Sequence, residues 1–463
     1  MNKQKRVNVI KLLLPAMLLA CLPAFQALAH PHDHQGHSHG HVPTDYRIHG
    51  EAPHYTPPEP DAEGYYWWKG NLHTHTLWSD GDQFPEVVVD WYKANGYHFL
   101  ALSDHNILSQ GEMWINPATN RFSQSGGGIK TYEYYLLQFG MDWVESRVNE
   151  EGQVEVRLKP LNEFRTFFEE PGRFLMIQGE ELTDHMAVHV NATNLIEYIP
   201  PQGGDTVQET IERNIEAVLE QEARTGQAMF PHLNHPNFRW AINAEDMIPV
   251  KNLNFFEVYN GHRSVYNFGD DVHIDLDRMW DIVLTKRLAE HDLGVVYGLA
   301  TDDSHNYDDS LTQTALPGRG WVKIRSKFLT PEHLIAALRA GDFYSSTGVT
   351  LKNIRRGNSE LSFEIVPEDG VTYITKFIGT REGYDPSSEP VLDADGEEIR
   401  TTRRYSDDVG EVLSEVTGLT PSYTLEGDEL YVRALVVSSK LKENYFAPGE
   451  HEMAWVQPLV PGQ

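Results

Sequence analysis

The 463-residue sequence has a single cysteine, Cys21, and that residue sits in the N-terminal leader. A chain cut after Ala29 therefore carries no thiol and no disulfide, and a cysteine nucleophile is excluded. No Gly-x-Ser-x-Gly elbow occurs either, so a serine-hydrolase arrangement has no support. Positive charge is scarce: 38 Lys+Arg stand against 68 Asp+Glu, a net charge of −30. Such a field repels phosphate backbones and anionic lipid surfaces unless bound cations reverse it locally, so nucleic-acid polymers are not expected partners. Beyond the leader no apolar run approaches the ~18 residues of a membrane span. What remains is 40% hydrophobic, 23% charged and 11% aromatic, the profile of a globular enzyme.

Residues 1–29 have the layout of an export signal. Lys3, Lys5, Arg6 and Lys11 form a basic region, Leu12–Ala20 an apolar one, and Ala27-Leu28-Ala29 a small-x-small cleavage site. Removing four cations and no acid shifts the net charge from −30 to −34. Leu18-Leu19-Ala20-Cys21 loosely matches a lipobox, which leaves a lipid anchor on Cys21 as the alternative to a periplasmic or secreted protein. Six histidines follow between His30 and His41, with no apolar residue to fold around. This arm is either a solvated tail or a collector of transition-metal ions. The Pro-rich stretch to residue 60 is a stiff spacer.

The length allows two or three domains. Between residues 65 and 345, short apolar runs alternate with amphipathic helical patterns, the signature of βα units. Seven strands are expected: 70–75, 99–105, 174–182, 187–192, 228–235, 255–260 and 295–302. Helices are expected at 85–95, 205–225, within 270–292 and from Pro331 to Gly341. After about residue 346 the pattern becomes strand and turn only (361–366, 373–378, 430–437, 454–456), which predicts a separate β-sandwich-like domain over 346–463.

In six of the seven strand runs, all but 255–260, a His, Asp or Glu at or near the strand end stands as a candidate metal ligand. The residues are His73 and His75, then Asp80; Asp104 and His105; Glu180 and Glu181; His189; His232 and His235; Asp302, Asp303 and His305. In an α/β barrel the C-terminal strand ends converge on one face, so ligands distant in sequence meet there. One His-x-His is weak, since two solvent-facing histidines on a strand look the same; the recurrence makes it strong.

Together, His73-x-His75, Ser79-Asp80-Gly81, Ser103-Asp104-His105, Gly179-Glu180-Glu181, His189-Val190-Asn191-Ala192, His235-Pro236 and Asp303-Ser304-His305 resemble the PHP (polymerase and histidinol phosphatase) family of metal-dependent phosphoesterases. The resemblance implies a distorted (β/α)7 barrel. It implies two or three divalent ions held by His73, His75, Asp80, His105, Glu181, His189, His235, Asp303 and His305. The export signal, Asp303-Ser304 and the appended β-region resemble the carbaryl-hydrolase-like branch. One departure is an insertion over about 107–173, expected to cover the mouth of the site.

Imidazoles alternating with carboxylates suit Zn, Mn or Fe better than Ca, with Glu181 placed to bridge two ions. The implied chemistry is attack by a metal-bridging hydroxide on a small phosphate mono- or diester. The same site serves an amide, carbamate or carboxyl-ester hydrolase, and an inert periplasmic metal-binding protein is a further alternative. Asp104 and Asp302 are expected to orient imidazole N–H groups or accept a proton. Arg239, Trp240, His262 and Arg263 follow the strands nearest the site and are placed to grip a substrate anion. His185, Glu180 and His232 stay open as alternatives to His189, Glu181 and His235. His98 and His333 receive no role.

Overall fold

Aromatic and β-branched runs form the strands, and polar caps at Thr206, Asp275 and Thr330 open three of the helices. The computed structural model describes residues 57–118, 128–307 and 315–462. The expected export signal, Cys21 and the histidine arm as far as residue 56 lie outside the described residues. No described helix is long and apolar enough to cross a membrane.

The protein is a mixed α/β structure with a large central sheet of thirteen strands. Seven come from the first part of the chain: β1 (Tyr66–Asn71), β2 (Phe99–Leu102), β3 (Leu175–Thr183), β4 (His189–Thr193), β5 (Phe230–Leu233), β6 (Phe255–Asn260) and β7 (Tyr297–Thr301). They lie side by side in chain order. The pairs β1/β2, β2/β3, β5/β6 and β6/β7 are parallel, while β4 runs antiparallel to both β3 and β5. Just past the ends of β1 and β7, Thr74 and Ser304 form a parallel bridge, with His75 N–H donating to Ser304 O at 3.0 Å. The first and last of the seven strands thus meet where the candidate ligands lie.

Side-chain alternation gives these strands two faces. Trp68, Phe99, Ile177, Phe230, Phe255 and Leu299 share one apolar cluster with Leu334 and Leu338 of α7 (Pro331–Arg339). Val190, Leu233, Phe256 and Val258 face the other way, onto Ile211, Ile215 and Val218 of α4 (Val207–Thr225) and Trp280 of α6 (Leu276–Lys286). The helix limits follow from capping chemistry. Thr206 Oγ1 accepts the Glu209 N–H and Asp275 Oδ1 the Arg278 N–H, while Gly226 ends α4 at φ 74°. Gly179 in β3 is obligatory for packing, because a Cβ there would lie 2.6 Å from Ala192 O on the paired strand.

The insertion forms a three-stranded sheet (Met113–Ile115, Ser146–Val148, Val154–Leu158) with α2 (Gly128–Phe139) and α3 (Leu161–Phe168). Tyr135, Val144, Val156 and Leu158 pack on Leu77, Trp78, Phe84 and Val87, the segment that carries Asp80 and leads into α1 (Pro85–Ala94). On the far side of β1 from β2, the sheet runs on through β8 (Trp321–Ser326), antiparallel to β1, and β9 (Phe343–Ser346) into β13 (His451–Leu459), β12 (Glu429–Leu441), β10 (Tyr373–Arg381) and β11 (Glu411–Thr417). A smaller sheet of Leu351–Arg356, Glu360–Ile365 and Ser422–Thr424 packs against β10, β12 and β13. Residue 346 therefore falls within a continuous sheet. Across that point, Arg433 of β12 donates to Asp277 and Asp281 of α6 at 2.9 and 2.7 Å, and Trp455 of β13 packs with Tyr259 of β6.

Candidate metal centre

Each candidate side chain reaches the site because of where its strand stops. His73 and His75 follow β1, and His105 follows β2. Glu181 is on β3, with Glu180 pointing to the opposite face, where it accepts the Ile199 N–H at 2.8 Å. His189 opens β4, His235 follows β5, and Asp303 and His305 follow β7. Asp80 arrives on a loop that Gly81 makes possible, since a Cβ at Gly81 would lie 2.7 Å from His75 O.

All nine side chains come together. Among the described residues, the groups close enough to share an ion are His75/Asp80/His105/His305, His73/His75/Asp303, His73/Glu181/His235, His105/Glu181/His189 and, with two residues outside the nine, His73/His232/Glu257. His73 Nε2 and His75 Nε2 are 3.1 Å apart, and each is 3.2 Å from Asp303 Oδ1. Glu181 Oε2 lies 3.5 and 3.4 Å from the same two nitrogens, and Glu181 Oε1 lies 2.9 Å from His189 and 3.3 Å from His235. Asp80 Oδ1 is 3.3 Å from His105 and 3.2 Å from His305. Asp80 and His105 keep 22% and 23% of their side chains exposed, so the cluster opens on that side, whereas Glu181 is fully buried.

These atoms suit cations better than protons. Ligands about 2.0–2.1 Å from a tetrahedral ion stand roughly 3.3–3.4 Å from one another, the spacing found here. Glu181 Oε2 has no hydrogen-bond partner although His105 Nδ1 lies 2.8 Å away. Burial opposes charge on His73, but Asp303, Glu257 and Glu181 outweigh it and raise its pKa. His75 goes the other way, to about 3, through burial and the neighbouring His305 and His105. Burial also opposes charge on His105, yet Glu181 and Asp80 lift it to about 11. Glu181 and Asp303, whose burial favours the neutral acid, are held ionised by the surrounding imidazoles. Without ions, then, the cluster divides into protonated and neutral imidazoles.

Two expectations need correction. Asp104 touches no imidazole among the described residues. It accepts from Thr76 N and Oγ1 and from Ser79 N and Oγ at 2.7–3.1 Å, fixing the loop that presents Asp80. Asp302 likewise accepts from Tyr92 OH and from the N–H groups of Gly318, Arg319 and Gly320. Strand β6, expected to carry no site residue, carries Glu257, whose Oε1 is 2.7 Å from His73 Nδ1. Asn234 was also unforeseen; its amide donates to Glu181 Oε1 at 2.8 Å.

His232 is fully buried, 3.5 Å from Glu257, and groups with Glu257 and His73. His185 is exposed and bonds Asp184 and Gly204 O, away from the cluster. His262 sits beside His305, ring centroids 5.1 Å apart, and burial lowers its pKa to about 4. Arg239 is exposed, its guanidinium over the Phe238 ring, which packs against His189 and His235. Trp240 stacks on Tyr266 and His273. The Nε of Arg263 is buried without a partner. Arg239 and Trp240 both have φ 55°, a left-handed backbone that is uncommon for such residues and concentrates at functional sites.

The fold and the cluster together define a mixed α/β protein with a candidate multinuclear metal centre. No family model matches the chain, and no curated protein does either. Among solved structures it is similar to a two-domain protein from Bacteroides vulgatus containing a predicted PHP-like metal-dependent phosphoesterase. The two are 14% identical, with a TM-score of 0.37, over 88% of this chain and 99% of that one.

Proposed function

We propose that this chain is an exported, PHP-type metal-dependent hydrolase of small phosphate mono- or diesters. The observation that carries the proposal is the convergence of nine imidazole and carboxylate side chains in overlapping groups close enough to share ions, with Glu181 buried among five of the imidazoles. In this reading β1–β7, joined edge to edge at Thr74 and Ser304, form the distorted (β/α)7 barrel, and residues 346–463 form a β-rich appendage.

His73, His75 and Asp303, with Glu181 Oε2 beside the two imidazoles, would hold one divalent ion, Asp80, His105 and His305 a second, and Glu181 Oε1, flanked by His189 and His235 at 2.9 and 3.3 Å, a third. Zn, Mn or Fe bound there would acidify water and neutralise charge developing on the phosphoryl oxygens. Asp80, Glu181, Asp303 and Glu257, the carboxylates in contact with these imidazoles, balance two such ions; a third leaves a positive surplus suited to a phosphate. His262, Arg239 and Arg263 flank the cluster, and in this reading they grip the substrate anion and orient it. Asp104 acts only indirectly, by holding the Asp80 loop in place.

A panel of nitrophenyl phosphates and nitrophenyl carboxyl esters tests the assignment. Turnover of the phosphates is expected. Turnover confined to carboxyl esters would move the chain to the amide, carbamate or ester hydrolases, and bound metal without turnover would make it a metal-binding protein.

A further inference from the structure

Glu257 is the one acid in this cluster with no place in a motif. It is fully buried in the middle of β6, on the inward face shared with Phe255 and Leu299. Its Oε1 is 2.7 Å from His73 Nδ1 and accepts the Thr301 hydroxyl, also at 2.7 Å. Its Oε2 accepts the backbone N–H of His235 at 2.8 Å and the Asn260 amide at 2.8 Å. The same Asn260 amide donates to Asp303 Oδ2 at 3.1 Å.

We infer, on the metal-centre reading above, that Glu257 is a positioning residue which holds His73, the His235 backbone and, through Asn260, Asp303 in the geometry that binds an ion. With the proton on Nδ1 facing Glu257, the Nε2 lone pair of His73 must point at Asp303 and Glu181, where the ion would sit. Glu257 itself is not an open ligand. Three donors besides His73 converge on its oxygens, so its lone pairs are occupied by hydrogen bonds rather than presented to a cation. The His235 contact matters for a second reason. His235 has φ 22°, a backbone setting that L-residues avoid, and the bond from its N–H to Glu257 Oε2 is one of the restraints that keep it there. One carboxylate thereby ties together ligands from the ends of three strands.

The test uses the full chain as wild type, Glu257→Gln and Thr301→Val. Zinc affinity is read by competition with a chromogenic chelator, and folding by the melting temperature of the metal-free protein. Glu257→Gln should keep the metal-free melting transition and weaken one zinc site by about 10–100-fold, the usual effect of losing a carboxylate behind a histidine ligand. Thr301→Val, which leaves the carboxylate but removes one donor to Oε1, should weaken the same site by less. That variant decides the matter if Glu257→Gln does not fold. A purely structural role would lower the metal-free melting temperature and leave affinity unchanged. Wild-type affinity in both folded variants, or in Thr301→Val alone if the other fails to fold, overturns this inference and leaves the metal centre standing. A wild-type chain that takes up no zinc overturns the metal centre and the role of Glu257 with it.

Discussion

Glu180 and Glu181 are adjacent in sequence, and the two-residue repeat of a strand sends them to opposite faces. Glu181 meets five imidazoles, and Glu180 caps the Ile199 N–H on the far side. All nine candidate ligands were legible in the sequence, most plainly those whose spacing is itself chemical: His73-x-His75, Asp303-x-His305 and His235-Pro236. Glu257 was not legible, because a lone acid inside Phe-Phe-Glu-Val-Tyr has no spacing to signal it, and only the fold shows that it faces His73. Asp104 and Asp302 were misread for the converse reason. Each precedes a ligand-bearing residue in sequence and for that reason points away from it. His73 and Asp303 make the sharpest test at this scale. Replacing either with Ala should displace an ion that contributes several kcal/mol to transition-state charge, a loss of roughly 1,000-fold or more in turnover, with the circular dichroism spectrum retained. Wild-type rates in a folded variant would remove that residue from the ligand set.

At the level of elements, long periodic segments could be read and short ones could not. The expected helix at 205–225 is α4, Val207–Thr225, and the run 255–260 is β6. The three-residue strands of the insertion are too short to show a period, and α3 does not announce itself with a cap; Pro160 precedes it without bonding it. Strands β8 and β9 were missed as well, although β8 alternates buried and half-buried residues over six positions. The insertion grips α1 through a buried acid. Glu86 Oε1 accepts from Tyr135 OH at 2.7 Å and Trp143 Nε1 at 3.0 Å, and burial, against those bonds, lifts its pKa from 4.5 to about 7. A carboxyl whose pKa is higher in the folded chain lends stability that is complete below pH 4.5 and is lost as pH rises toward 7. The span corresponds to about 3 kcal/mol. Glu86→Gln should flatten the pH dependence of the urea midpoint between pH 4.5 and 7. An unchanged slope would show that Glu86 titrates normally.

For the whole molecule, the acidic composition that argues against a nucleic-acid partner also bounds the size of the expected substrate. At a net charge of −30, an anion is attracted only where clustered cations overturn the field, and outside the cluster their influence fades over ~8 Å at physiological salt. A small phosphate ester fits inside that zone, whereas a long strand would drag further phosphates across a repulsive exterior. The kcat/KM for a nitrophenyl phosphate should therefore exceed that for a long oligonucleotide in the same metal buffer, and equal or faster cleavage of the polymer would refute the size argument. The β-rich C-terminal segment was visible as a change in strand pattern after residue 346. Its continuity with the main sheet was not, because pairing between β9 and β13 joins residues more than a hundred positions apart. Six histidines in the arm between His30 and His41 could chelate ions on their own, so the most direct test of the metal centre must separate the two. The decisive measurement is the bound-metal content of protein lacking residues 1–41, taken alongside its turnover of a nitrophenyl phosphate before and after chelation and readdition of the ion. Two or three divalent ions per chain, with activity lost on chelation and restored by the ion, is the expected result; loss of all bound metal on removing the arm would contradict it.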